Sequence, residues 1–178
     1  MLSAPTPSSE ETRSNAAFDA LLGALSRPGH IRKLPIAGES TIIEALLDRE
    51  CRVFCADPTL MPKVLETGAM LAELPEADHV FFGVLQDSET LLPVAQGSDL
   101  YPDDGATVIV RAVLNTGQKL RLSGPGIETH QDVTISGLPS GFWQLRKDLI
   151  RYPMGFDLFF VDGDQVLGIP RSTKVEEL

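Results

Sequence analysis

The sequence is short of several things, and each shortage removes a class of function. Only two of its 178 residues are cysteine. Both fall in the apolar run Cys51-Arg52-Val53-Phe54-Cys55, which reads as a buried strand. Four steps of about 3.3 Å separate them by about 13 Å. A disulfide needs Cα atoms within about 7 Å. The same separation rules out joint ligation of one zinc ion, so each reads as a small buried hydrophobe. Histidine is nearly as scarce. His30, His79 and His130 are widely spaced, and none has the i, i+4 partner that lets two imidazoles reach one ion. No metal site is expected, and His79, beside an apolar run, reads as structural.

Positive charge is in deficit, with 15 Lys and Arg against 25 Asp and Glu and a formal net charge of −10. No basic run or basic-aromatic stripe offsets it. Such a surface repels a phosphate backbone, so nucleic acid is excluded as a partner. No apolar run reaches the length of a membrane span. The first ten residues, Met1-Leu2-Ser3-Ala4-Pro5-Thr6-Pro7-Ser8-Ser9-Glu10, lack the positive start and apolar stretch of an export signal. The expectation is a cytoplasmic protein with residues 1–12 as a mobile tail and 13–178 as one domain. A chain of this length forms one core that buries roughly 70% of its unfolded surface. Its 43% apolar and 22% charged residues are ordinary for a globular domain.

What is present has the rhythm of a mixed α/β chain. Phe18, Leu21, Leu22 and Leu25 recur at i, i+3, i+4, i+7, predicting a helix over about 13–26 with those residues on its core face. Arg27-Pro28-Gly29 stops it. Ile42, Ile43, Leu46 and Leu47 predict a second helix. A third begins near Thr59, its cap, with Pro62 in the first turn and Val64, Leu65, Gly68 and Leu71 inward. Residues 79–85 and 106–113 read as central strands, with the turn chemistry of Tyr101-Pro102-Asp103-Asp104-Gly105 between them. Residues 108–114 and 119–123 around Asn115-Thr116-Gly117 predict a hairpin, and 156–161 with 165–169 around Asp162-Gly163-Asp164 predict another. Between them Phe142, Leu145, Leu149 and Tyr152 mark a helix that Pro153 ends. Helices alternate with strands early and hairpins dominate later. That predicts an α/β fold in three layers, a mixed, partly antiparallel sheet flanked by helices.

Catalytic patterns are weak. Gly124-Pro125-Gly126-Ile127-Glu128-Thr129 has the look of a dinucleotide loop. Its third glycine is missing, however, Pro125 removes a backbone N–H, and the strand-like Asp132-Val133-Thr134-Ile135 follows where a helix should start. A sharp chain reversal is the favoured reading. Ser123 lacks the glycines of a nucleophile elbow. Lys33, Lys63, Lys119, Lys147 and Lys174 all sit in polar or alternating contexts, unlike a Schiff-base lysine in an apolar pocket. Glu10-Glu11, Asp103-Asp104 and Glu176-Glu177 read as solvated surface. Arg27, Arg146, Arg151 and Arg171 lie at element boundaries or near apolar neighbours, where a guanidinium binds a phosphate, a phosphonate or a partner's carboxylate, or forms an ordinary salt bridge.

A run of short motifs carries more together than any does alone. In order they are Phe18, Leu21-Leu22, Leu25 and Arg27-Pro28-Gly29; Gly105-Ala106-Thr107; Leu122-Ser123-Gly124-Pro125-Gly126-Ile127; Leu138-Pro139, Phe142-Trp143 and Arg146; Pro153-Met154-Gly155-Phe156-Asp157; and Ile169-Pro170-Arg171-Ser172-Thr173. Over nearly the whole chain after the tail, this series resembles the PhnH family, the H subunit of bacterial carbon-phosphorus lyase. Ser123 stands where threonine is common, and Asp103-Asp104 and Tyr152 depart modestly from the pattern.

The resemblance implies a fold distantly similar to pyridoxal-phosphate transferases without that cofactor's lysine, and no cofactor. It implies a homodimer in isolation and assembly with the G, I and J subunits into a core complex. The implied role, shared with the G, I and L proteins, is formation of ribose 1-phosphonate 5-triphosphate from ATP and an alkylphosphonate, before the J subunit breaks the carbon-phosphorus bond. No catalytic residue follows from it. Arg27, Gly29, Ser123, Gly124, Gly126, Arg146 and Arg171 are the candidates for a ligand-binding or interface site. The alternative is a stand-alone nucleotide or phosphonate binder or small-molecule enzyme.

Overall fold

The computed structural model describes residues 6–178. Helix α1 spans Ser9–Ser26, so it begins well inside the expected tail. The start is a capping box: Glu11 N donates to Ser8 Oγ at 3.1 Å, and Ser8 N donates to the Glu11 carboxylate at 2.6 Å. The face it buries matches expectation in part, with Leu21 buried and Leu25 packed against the core. Ala17, Ala20, Leu21 and Ala24 point inward, while Phe18 and Leu22 are exposed. The reason is close approach. Gly168 of strand β9 (Gln165–Ile169) lies directly under the helix, where an added Cβ would stand 2.7 Å from the Ala24 carbonyl carbon. Backbones that near leave room only for a small side chain at the point of contact, Ala24.

The large sheet has seven strands in the order β1-β9-β8-β5-β4-β2-β3. Strands β2 (Arg52–Cys55), β3 (Met70–Leu71), β4 (His79–Val84), β5 (Thr107–Arg111) and β8 (Asp157–Asp162) run parallel. Strand β9 returns antiparallel to β8, and the short β1 (Arg32–Lys33) pairs antiparallel with β9. The expected β8–β9 hairpin forms with Asp162 opposite Gln165, and Gly163 takes φ 57 in the two-residue turn. The central strands are buried on both faces, as parallel strands require. Val53, Phe81, Ile109 and Phe159 pack toward α1, α2 (Ser40–Leu46) and the α3 side (Met61–Thr67). Val80, Phe82, Val108, Val110, Leu158 and Phe160 pack toward the opposite face.

That opposite face is not a second helical layer. It is covered by a three-stranded antiparallel sheet, β10-β6-β7, made of β6 (Val113–Ser123), β7 (Gln131–Ser136) and β10 (Lys174–Glu177), together with α4 (Phe142–Leu149). Phe142, Trp143 and Phe160 form an edge-packed aromatic group with centroids 4.9 to 5.9 Å apart, fixing α4 to the large sheet. Tyr152 lies beyond this helix and is exposed.

The first expected hairpin does not exist. Strand β5 stops at Arg111, and the chain crosses into the small sheet, where β6 runs unbroken to Ser123. Asn115 and Gly117, both at positive φ, form a bulge in which Leu114 and Gln118 both pair with Ile135. Helix α3 also starts later than expected. Thr59 bonds through its N–H and hydroxyl to Asp57 Oδ1 and does not cap the helix, and Leu65 and Leu71 are exposed while Val64 is buried. Cys51 and Cys55 are free and only half-buried, and burial pushes both thiols up.

The α1 contact gives a test. Gly168→Ala puts a methyl group into the Ala24 backbone, so unfolding in urea should show a loss of about 1–3 kcal/mol. Unchanged stability would refute the close approach.

Candidate functional site

Three glycines of the expected set act as spacers between segments far apart in sequence. Gly29 takes φ 87, and a Cβ there would overlap Gln131 and stand 3.2 Å from Leu122 Cδ1. Gly126 takes φ 82, and its Cβ would overlap the carbonyl oxygen of Ser26 at the end of α1. Gly124, at φ 134, lies against the backbone of Ser172, 2.8 Å from its oxygen to an added Cβ. Ile127 N closes the turn onto Gly124 O at 3.1 Å. The Gly-Pro-Gly segment is thus a chain reversal wedged between the end of α1 and the segment at 170–173. This interlock, the helix stop Arg27-Pro28-Gly29 set against the glycine turn, joins two of the motifs in the recurring series.

A family model for the bacterial phosphonate metabolism protein PhnH matches residues 7–176. The chain belongs to the PhnH family. It is similar to a putative C-P lyase subunit protein, HtxG, of Stutzerimonas stutzeri, with 33% identity over 173 residues that cover 92% of this chain and 86% of that protein. It is also similar to the PhnH subunit of alpha-D-ribose 1-methylphosphonate 5-triphosphate synthase of Rhizobium meliloti. There the identity is 30% over 181 residues, covering 90% of this chain and 89% of the relative.

In this PhnH chain the interlock leaves an open groove of about 570 Å³ between Ser26, Arg27, Pro28 and His30 on one wall and Gly126 to Gln131 on the other. Arg27 is exposed there and makes no ion pair among the described residues. His30, His130 and Glu128 are exposed beside it. Of the seven expected residues, Arg27 and Gly126 line this groove, and Gly29 supports it from behind through its contact with Gln131.

The other four gather around the segment that follows β9. Ser123 pairs with Lys174 across β6 and β10, next to Gly124 on Ser172. Arg146 is 2% exposed and donates to Pro170 O at 3.0 Å and Thr173 O at 3.3 Å. Burial draws its pKa down to about 10, which leaves it charged at neutral pH. Arg171 clasps Asp157 at 2.8 Å and donates to the carbonyls of Pro102 and Gly105. Both guanidiniums are thus occupied internally, and neither faces a ligand.

A further cluster was missed by sequence reasoning. Arg111, at the carboxyl end of β5, holds Glu39 at 2.6 Å and Asp57 at 2.7 Å. Glu39 is 3% exposed and Asp57 is half-buried. In open α/β sheets, ligands enter beyond the carboxyl ends of the parallel strands. Here two carboxylates hold the Arg111 guanidinium in ion pairs. The hydroxyl and N–H of Thr59, and then Arg111, hold Asp57 below the usual carboxylate range. The only hint in the sequence was a charged residue closing the apolar run Val108-Ile109-Val110.

Other candidates resolve as structure. Burial lowers the pKa of half-buried His79, so it is neutral at neutral pH. Lys63 bonds Glu44 at 2.7 Å and Glu66 at 3.0 Å, and these carboxylates raise its pKa, the opposite of what Schiff-base chemistry needs. Among the described residues, no group of three or more His, Cys, Asp or Glu is placed to hold a metal. Behind the groove, Arg121 takes Asp132 in a two-bond clasp at 2.8 and 2.9 Å, holding its carboxyl at about 2.

Two outcomes follow from this geometry. Gly126→Ala forces a methyl group onto Ser26 O at positive φ, so it should cost about 1–3 kcal/mol in denaturant unfolding, while a neutral effect would contradict the interlock. The Asp132 carboxyl, depressed in the folded state, stabilises the fold above its unfolded pKa of about 3.9 and loses that contribution as pH falls toward about 2. Melting temperatures of Asp132→Asn and the parent should therefore differ at pH 5 and converge on descent to pH 2. A constant gap would refute the clasp.

Proposed function

We propose that this chain is a subunit of a carbon-phosphorus lyase system, acting in assembly and structure and not as a self-sufficient catalyst. The observation that carries this is family membership over residues 7–176, with relatives named as a putative C-P lyase subunit and as a subunit of a ribose 1-methylphosphonate 5-triphosphate synthase. The internal use of Arg111, Arg146 and Arg171 and the raised pKa of Lys63 support a non-catalytic role.

In this reading the subunit works in the cytoplasm with the G, I and L proteins, where an alkylphosphonate displaces adenine from ATP to give ribose 1-phosphonate 5-triphosphate. A phosphonate oxygen bonds to the anomeric carbon, the glycosidic C–N bond breaks, and adenine leaves with the electron pair and takes up a proton. The chain is a homodimer alone and joins the G, I and J subunits in the core complex. Its layered fold is a distant version of the pyridoxal-phosphate transferase architecture without the cofactor's lysine. Consistent with the cytoplasmic placement, no helix among the described residues is long and apolar enough to cross a membrane.

Arg27, exposed in its groove and without an ion pair among the described residues, favours one alternative, a stand-alone binder of a nucleotide or phosphonate. Two measurements separate the readings. Co-expression with tagged G, I and J subunits should recover this chain in the purified complex. Calorimetry of the isolated protein with ATP, adenine and methylphosphonate should be silent. Partners that assemble normally without this chain, together with micromolar binding abolished by Arg27→Ala, would replace the assembly role with the alternative.

A further inference from the structure

The segment from Gly97 to Gly105 forms a knuckle at the end of the large sheet where the interior strands β5 and β8 begin. Its backbone is braced from within. Ser98 N donates to Tyr101 O at 3.0 Å, Tyr101 N to Ser98 Oγ at 3.1 Å, and Asp104 N to Tyr101 O at 3.3 Å. A Cβ on Gly97 would stand 2.7 Å from Tyr101 O, so the turn is closed tightly on itself. From beneath, Arg171 binds the carbonyls of Pro102 and Gly105 while Asp157 holds it in place.

A segment fixed so firmly would be expected to turn its large apolar side chains inward, yet Leu100 is 84% exposed and Tyr101 61%. The neighbouring turn, tied to the knuckle's base by Gly155 N on Gln96 O at 2.8 Å, displays Tyr152 at 70%. These are the three most exposed large apolar side chains among the described residues. The same segment carries Asp99, Asp103 and Asp104, exposed and without ion pairs among the described residues.

We propose that this knuckle docks a protein of different sequence whose surface offers an apolar socket for Leu100 and Tyr101 rimmed by lysine and arginine. The inference rests on the reading of the chain as a subunit of a larger assembly. A braced loop loses little conformational freedom on binding, so more of the contact energy survives as affinity. Tyrosine anchors at the centre with charge at the rim are the usual distribution of binding energy. A second copy is the wrong occupant. A symmetric contact through the knuckle would set the same three carboxylates against each other on two chains of net charge −10, and like charges across an interface are strongly unfavourable.

The test uses the full chain co-expressed with the other subunits of the carbon-phosphorus lyase system. Leu100→Asp and Leu100→Ser should melt at the parent temperature yet be captured at least ten-fold more weakly. Replacing Asp99, Asp103 and Asp104 by asparagine should slow association several-fold and flatten its dependence on salt. Parent-like capture of both Leu100 variants overturns the surface while the subunit reading stands. Failure of the parent chain to be captured at all overturns the subunit reading, and this surface falls with it. If Leu100→Asp instead only converts a dimer to a monomer in sedimentation, the occupant is a second copy and the proposal is wrong.

Discussion

The two sheets of this protein are joined by the segment at 170–173, and two guanidinium groups hold that segment. Arg146 reaches it from α4 and binds the carbonyls of Pro170 and Thr173, while Arg171, within it, anchors to Asp157 at the start of β8. A buried charge is costly unless its donors are satisfied. Here backbone carbonyls take two of the Arg146 donors, Nη1 and Nη2, while its buried Nε has no partner among the described residues. Much else is positioned by the same clamp. It sets β10 against β6, places Ser172 where Gly124 meets it, and so fixes the glycine turn that forms one wall of the groove. The knuckle at the end of the large sheet hangs from Arg171 as well.

Where the sequence was legible, one short-range signal decided the outcome. Pro28 and Gly29 end α1, Asp162-Gly163-Asp164 turns β8 into β9, and Asp132-Val133-Thr134-Ile135 is the strand that argued against a nucleotide loop. The Ser8 and Glu11 capping box was equally local and was overlooked. Errors arose where a distant backbone overrode a local pattern. The leucine and phenylalanine periodicity of α1 placed Leu21 and Leu25 rightly against the core but Phe18 and Leu22 wrongly, because the close approach of Gly168 to Ala24 turns the alanine stripe inward. Asn115-Thr116-Gly117 has hairpin chemistry, but β5 needs neighbours on both sides within a buried parallel sheet, so the glycine became a bulge in a strand of another sheet.

The candidate site divides along the same line. That Gly124-Pro125-Gly126 is a turn could be read from Pro125 and the strand beyond. That Arg146 and Arg171 face inward could not, since a guanidinium near apolar neighbours looks the same in sequence whether it holds a ligand or a carbonyl. Glu39 lies 72 residues from Arg111, and nothing local marks the pair. Together these arrangements describe an α/β scaffold in which an ion cluster of Arg111, Glu39 and Asp57 lies beyond the carboxyl end of β5, and Arg146 and Arg171 support the fold.

Strands β1 and β3, which close the two sides of the large sheet, are only two residues long. An edge that short exposes too little unpaired backbone to template another strand, a common protection against sheets adding to one another end on end. The large sheet can therefore lie against neighbours without polymerising with them. With those two margins truncated, the large sheet offers a neighbour side chains more than backbone, so what meets it there is chosen by residues that can vary one at a time.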